Sequence, residues 1–337
     1  MSAGAVGDGF NFHSPRSLPR NYTTASHPSF RPVTLACQAM ATRFEFVLYG
    51  RNEIALRAAG EEAIAEIERL EDQLSLFRPT SEIAHLNARA AREAVRVSPL
   101  LFGLLAHARI LHEETNGAFD ITVAPLVRCW GFMGGTGRVP TPEELSEARS
   151  KVGMGLVQLS PENFTVRFAR EGVMLDLGAI GKGYAIDRAA EVLREGGIES
   201  ALLHGGTSSA YGIGRPPDLE SWQIAVEDPR LASDSPTARL ATVTLTDEAI
   251  SVSTLSEKFF QADGKTFGHV LDPRTGEPTS AGLLAAVVLP SATETDALST
   301  ALLTSGIEGH QQIAKLRPGM RTLLLTGSGV QSTGISV

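Results

Sequence analysis

Leu175-Asp176-Leu177-Gly178-Ala179-Ile180-Gly181-Lys182-Gly183-Tyr184-Ala185-Ile186-Asp187 is the stretch on which the reading of this chain turns. Apolar Val173 to Leu177 predicts a strand that carries Asp176, and closely spaced glycines break it. A helix from Gly183 to Arg194 follows, ended by Gly196-Gly197. Glycines let backbone N–H groups approach an anion at a helix start, where the dipole and unpaired donors favour negative charge. Lys182 adds a point charge, so the corner suits a phosphate. Taken alone, glycines at such a turn more often reflect tight packing.

Downstream of this corner the pattern turns toward sheet. Strands are predicted at Thr165 to Phe168, Ala201 to Leu203, Trp222 to Val226, Ala241 to Leu245, Ile250 to Ser253, Leu283 to Leu289 and Thr322 to Leu325. One more helix, Thr295 to Thr304, ends before Ser305-Gly306, and 212–221 and 228–236 read as loops. Upstream, a strand at Thr42 to Tyr49 precedes Glu61 to Leu74, where Ile64, Ile67, Leu70 and Leu74 recur at helical spacing. Ser98-Pro99 starts a helix that Asn116-Gly117 stops, and Thr141-Pro142-Glu143-Glu144 is a capping box whose helix ends near Gly153. Regular βαβ alternation is missing, so the fold class is α+β, a mixed sheet core with packed helices.

The chain has 337 residues, 42% hydrophobic and 20% charged, enough to bury a sizeable core. A net charge of -8 without a lysine-rich stripe argues against nucleic acid or anionic membrane as partner. Cys37 and Cys129 form neither a disulfide framework nor a metal pattern. Residues 1–33, rich in Gly, Ser, Asn and Pro, predict a mobile tail. Leu35-Ala36-Cys37 has the outline of a lipidation site, but no apolar run precedes it, and no stretch reaches the roughly 20 apolar residues of a membrane span. The expectation is a cytoplasmic protein.

The punctuation of the opening stretch recurs. It returns at Leu202-Leu203-His204-Gly205-Gly206-Thr207, at Gly268-His269-Val270-Leu271-Asp272-Pro273-Arg274-Thr275-Gly276 and at Thr295-Asp296-Ala297-Leu298-Ser299-Thr300. With Met40-Ala41-Thr42, Thr115-Asn116-Gly117-Ala118-Phe119-Asp120 and Cys129-Trp130-Gly131-Phe132, the series resembles the ApbE family of FAD:protein FMN transferases over residues 37–310. The resemblance implies a T-fold-related architecture, one domain over 37–330, and members that are often exported.

Asp296 and Thr300 sit four apart on the last predicted helix, so both oxygens can face one point. A hard cation such as Mg²⁺ would fit, although a helix-terminal acid with a back-bonded threonine is the commoner arrangement. The resemblance reverses that order: it implies Mg²⁺ held by Asp296, Thr300 and the main-chain oxygen of Ala179. It also implies that Met40, Phe77, Ala118, Phe119, Asp120, Asp176, Lys182 and Val270 contact FAD. Apolar and aromatic groups suit flat rings, and acids accept from ribose or adenine. Phe119 and Met40 are, one by one, more commonly core residues, whereas a carboxylate at Asp120 among apolar neighbours needs a partner.

His269 aligns with the second histidine of a His-His-Ile-like family motif, which implies a part in positioning or deprotonating an acceptor hydroxyl. Four places depart from the family pattern: Phe77 for a tyrosine, Gly268 for the first histidine, Thr207 for an aspartate, and Thr254-Leu255-Ser256 for a Thr-Ser-Gly-like turn. His204, Trp130 and Trp222 read as structural. The activity implied is Mg²⁺-dependent transfer of FMN from FAD to a Thr or Ser hydroxyl of a target flavoprotein, releasing AMP. Hydrolysis of FAD to FMN and AMP, or non-catalytic FAD binding, are the alternatives. A homodimer is left open, and no GxGxxG supports an NAD enzyme.

Overall fold

The computed structural model describes residues 31–231, 238–255 and 259–337. The expected tail over 1–30, most of the 228–236 loop and Ser256 therefore lie outside the described residues. In chain order the elements are β1 Val33–Ala39, β2 Thr42–Tyr49, α1 Glu53–Leu74, α2 Glu82–Arg89, β3 Val95–Arg96, α3 Pro99–Glu114, α4 Ala124–Cys129 and α5 Pro142–Arg149. Then come β4 Val157–Ser160, β5 Thr165–Phe168, α6 Gly181–Glu195, β6 Ser200–Gly205, β7 Ser209–Ile213, β8 Trp222–Glu227, β9 Arg239–Leu245 and β10 Glu248–Thr254. The chain closes with β11 Phe259–Ala262, β12 Lys265–Gly268, β13 Leu284–Leu289, α7 Ala292–Ile313, β14 Arg321–Thr326 and β15 Gly329–Thr333.

The centre is an eight-stranded sheet in the order β1-β2-β6-β7-β10-β13-β14-β15, antiparallel at every pairing. Its middle strands are apolar without alternation, Leu284 to Leu289 and Leu323 to Leu325 being buried throughout. That pattern belongs to a sheet covered on both faces. On one face Ala285, Val287 and Leu324 pack with Leu298, Ala301 and Leu302 of α7 and with α6. On the other, Leu323, Leu325, Ala286 and Val288 meet Trp222, Ile224 and Val243 of the β8–β9 ribbon. Gly212 makes that second contact possible, since a Cβ there would stand 2.5 Å from the Trp222 ring. A third cluster around Trp130 seats the β11–β12 hairpin: Trp130 lies 5.5 Å from Phe267, and Phe260 and Phe267 stack at 5.2 Å.

The α+β expectation stands, with corrections at several elements. The predicted strand at Val173 to Leu177 is irregular and pairs with no strand. Its backbone is satisfied instead by the Asn87 amide, which donates to Leu175 O (3.0 Å) and accepts from Leu175 N (2.8 Å). The first helix begins at Glu53, not Glu61, because Asn52 caps it by accepting from Ile54 N and Ala55 N. The Thr141 capping box is present, but its helix stops at Arg149. The helix carrying Asp296 starts a turn early, at Ala292 behind the Ser291 cap, and runs across a kink at Gly306 to Ile313. Val33–Ala39, adjoining the expected tail, is an edge strand paired with β2.

Candidate functional site

The site grows from the place where α6 and α7 start side by side. Ile180, at the cap position of α6, offers no capping side chain. The carboxylate of Asp296 supplies the missing acceptor: Gly183 N–H donates to Asp296 Oδ2 at 3.1 Å. Only glycine permits this approach, because a Cβ on Gly183 would stand 2.1 Å from Ala292 O and 2.8 Å from Asp296 Cβ. The Lys182 ammonium completes the corner, 3.7 Å from Asp296 Oδ1 and 3.3 Å from Gly178 O, to which it donates.

At the glycine corner four backbone amides already have acceptors within the protein. Gly178 N–H donates to Asp176 Oδ1 (2.8 Å), Ile180 and Gly181 donate to Leu177 O (3.1 and 2.7 Å), and Gly183 serves Asp296. The anion beside Gly183 at this helix start is the protein's own carboxylate.

Thr300, one turn beyond Asp296, donates to Asp296 O (3.2 Å) and meets Ser253 Oγ of β10 at 3.2 Å. Ser253 also pairs with Ser299 (2.9 Å), and Ser251 with Thr295 (2.8 Å), so a seam of hydroxyls fixes α7 on the sheet. The threonine back-bond is the ordinary one, and it leaves the oxygen's lone pairs usable. Asp296 is 4% exposed. The oxygens gathered here are its carboxylate, the Thr300 hydroxyl and, across Lys182, the Gly178 carbonyl, an all-oxygen set that fits a hard divalent cation. Among the described residues no group of three His, Cys, Asp or Glu side chains offers another metal centre.

Asp120 and Asp176 adjoin the corner through the backbone, Asp176 N–H donating to Ile121 O at 2.7 Å. The partner that the Asp120 carboxylate requires is twofold. Oδ1 accepts from Thr122 N (2.7 Å) and Oγ1 (2.6 Å), and Oδ2 lies 3.2 Å from His112 Nδ1. Burial opposes charge on His112, but the Asp120 contact outweighs it and raises the imidazole above its ordinary pKa. Ala118 and Phe119 are buried in the helix-side core.

Strand register gathers the remaining motifs at one end of the sheet. Phe44 faces Gly205, Ser209 faces Ser251, and Thr254 faces Leu284, so turns 40–41 and 206–208 and the end of β10 lie at the same end. Met40 and Ala41 adopt left-handed φ of 51° and 59°, a two-residue hairpin turn made without glycine. Met40 N–H donates to Glu71 Oε1 at 2.8 Å, tying the turn to α1. Phe77, just beyond α1, is 75% exposed and presents an open aromatic face. His269 and Val270 follow β12, and Val270 O accepts from Thr279 N at 2.9 Å. Asp272 shapes the adjoining turn by accepting from Arg274 N (2.9 Å) and its guanidinium (2.7 Å). Trp130 Nε1 donates to Gly276 O at 2.8 Å, which confirms its structural part. Trp222 Nε1 likewise donates to Ile213 O (3.1 Å), and burial pushes His204 down to about 4 against the facing Glu45.

Ser253, His112 and Asp187 escaped the sequence reading as site residues. Asp187 alone carried a visible signal, its place four residues after Gly183 at the end of the opening stretch. A cleft of about 230 Å³ lined by Asn116, Arg274 and Glu308 contains none of the expected site residues.

The sequence model of the ApbE family matches residues 40–324. Curated proteins named FAD:protein FMN transferase are similar over most of the chain. The one from Klebsiella pneumoniae (strain 342) is 29% identical over 91% of this chain and 88% of its own length. That from Treponema pallidum (strain Nichols) is 31% identical, covering 82% and 80% respectively. Among solved structures, the ApbE protein from Thermotoga maritima superposes with a TM-score of 0.82 at 29% identity, over 90% of this chain and 97% of that one. The apo form of Pseudomonas stutzeri flavinyl transferase ApbE gives 0.77 at 28% identity, over 90% and 94%.

Proposed function

Because the chain belongs to the ApbE family, we propose that it is an FAD:protein FMN transferase, moving FMN from FAD onto a Thr or Ser hydroxyl of a target flavoprotein with release of AMP. The observation that carries the chemistry is the buried Asp296 carboxylate, fixed by Gly183 N–H beside Thr300 and Lys182.

In the proposed reaction the acceptor oxygen attacks the phosphorus of the FMN half. A new P–O bond forms, the bond to the bridging oxygen breaks, and AMP leaves with those electrons. Asp296, Thr300 and the Ala179 carbonyl would hold Mg²⁺, which when bound neutralises charge on the diphosphate. Lys182, which donates to Gly178 O, would turn from Asp296 to a phosphate oxygen. Met40, Phe77, Ala118, Phe119 and Val270 would flank the flavin and adenine rings. Asp120 and Asp176 would order the segment against which the nucleotide lies. His269 would take the acceptor proton. The protein then needs no nucleophile of its own, because the target segment brings one.

Incubating the protein with FAD, Mg²⁺ and candidate flavoproteins, then measuring AMP release and acceptor mass, tests this reading. An acceptor heavier by one FMN less one water is expected. Free FMN in place of labelled acceptor means hydrolysis, and intact FAD means a carrier.

A further inference from the structure

Asp187 has no part in the reading above, yet its carboxylate is among the most heavily bonded in the molecule. Oδ1 accepts from Ala292 N (2.7 Å), while Oδ2 accepts from Ser291 Oγ (2.9 Å), Thr293 N (2.9 Å) and Thr293 Oγ1 (2.6 Å). All four donors belong to the cap and first turn of α7. A residue of α6 thus closes the start of α7, in addition to the helix's own cap Ser291.

The arrangement is reciprocal. Gly183 and Asp187 lie four apart on α6, and Ala292 and Asp296 lie four apart on α7, so each pair shares a face. Asp296 of α7 accepts from the start of α6, and Asp187 of α6 accepts from the start of α7. Two carboxylates exchanged between two helix starts fix both the spacing and the slide of one helix along the other. A rotation or slip of α7 that moved Asp296 would also have to break the bonds at Asp187.

We propose that Asp187 is the positioning residue for Asp296, setting the orientation in which that carboxylate meets a divalent cation. The inference rests on the metal reading above, but it has a readout of its own. In Asp187→Asn the amide nitrogen must face an N–H or hydroxyl donor on one side, so at least one of the four bonds is lost. Asp187 does not touch Asp296 but holds the turn of α7 just before it, and outer contacts that orient a metal ligand are worth about 10-fold or more in affinity.

The test uses the whole chain with manganese(II) chloride alone. Free Mn²⁺ is followed by electron paramagnetic resonance, and exchange of the Gly183 amide is followed by NMR. The expected result is Mn²⁺ binding at least about 10-fold weaker in D187N than in wild type, with occupancy restored by excess metal. A merely structural role would lower the melting temperature and leave the folded protein's affinity for Mn²⁺ unchanged, and that result overturns the inference. If wild type takes up no Mn²⁺, the metal reading fails by itself and the Gly183 amide decides. Exchange of Gly183 about 10-fold faster in D187N, with the later amides of α6 unchanged, keeps Asp187 as the residue that holds Asp296 in place, and unchanged or uniformly faster exchange removes it. Should D187N fail to fold, Thr293→Val removes one hydroxyl donor only. It should weaken the same readouts about threefold, and no change in them overturns the inference.

Discussion

Asp296 and Lys182 face each other across 3.7 Å, and their separate duties can be told apart by substitution. Asp296→Ala should lower flavin transfer by about 100-fold or more while FAD affinity stays within about threefold, as isothermal titration would show. Equal turnover would refute the metal assignment. Lys182→Ala should do the reverse, weakening FAD binding about 10-fold through loss of a charged contact, and unaltered affinity would take the lysine out of the site. At this scale much was legible in the sequence: Lys182, Asp296 and Thr300 stand in one corner, as their motifs suggested. What was not legible is who occupies the helix start. Amides look available in a one-dimensional reading, and only the fold shows that Gly183 N–H is already given to Asp296. Ser253 was invisible for a similar reason, since a serine on a strand announces nothing until α7 is laid across it.

The pairing of α6 and α7 answers to one missing side chain. Gly183→Ala would drive a methyl group into Ala292 O, and the loss should be about 3 kcal/mol, read from urea unfolding. A loss under about 0.5 kcal/mol would mean that the helices part freely. The far side of α7 is secured differently. Arg317 bridges Glu114 of α3 and Glu294 of α7 at 2.7 and 2.9 Å, and His107 Nε2 lies 3.3 Å from Glu294. Burial opposes the charge on Glu294, but His107 and Arg317 prevail and hold it at about 2, below the ordinary 4.5. A depressed carboxyl stabilises the fold fully above its unfolded pKa, and that contribution is lost as pH falls through the folded one. The window is therefore about pH 4.5 to 2, and the contribution is on the order of 3 kcal/mol. Glu294→Gln should unfold at lower urea than wild type at pH 7, with the gap closing as pH drops through that window. A pH-independent gap would assign the effect to packing. Among the elements, capped helices were legible, because Ser98-Pro99 and the Thr141 box carry local signals. Val173 to Leu177 misled because its apolar run is real, while its bonding partner is the side chain of Asn87, 88 residues earlier than Leu175.

For the whole molecule, the sequence shows strands but not their order. Leu323 and Leu324 point to opposite cores, which the unbroken apolar run of β14 hints at and only the β8–β9 ribbon explains. The register of the eight-stranded sheet sets turns 40–41 and 206–208 and the end of β10 at one end, while β7 runs out to Ile213 at the other. Residues 217–220 beyond Ile213 are exposed. A protease site inserted there should yield, after digestion, a nicked protein whose two fragments stay together and still flavinylate the target, whereas scission within 206–208 should abolish labelling. Retained labelling after the second cut would break the link between that turn and the chemistry. If only the second cut silences the protein, the end of the sheet at Ile213 can be severed, tagged or tethered, and a fluorophore or surface linker attached there would report on flavin transfer without stopping it.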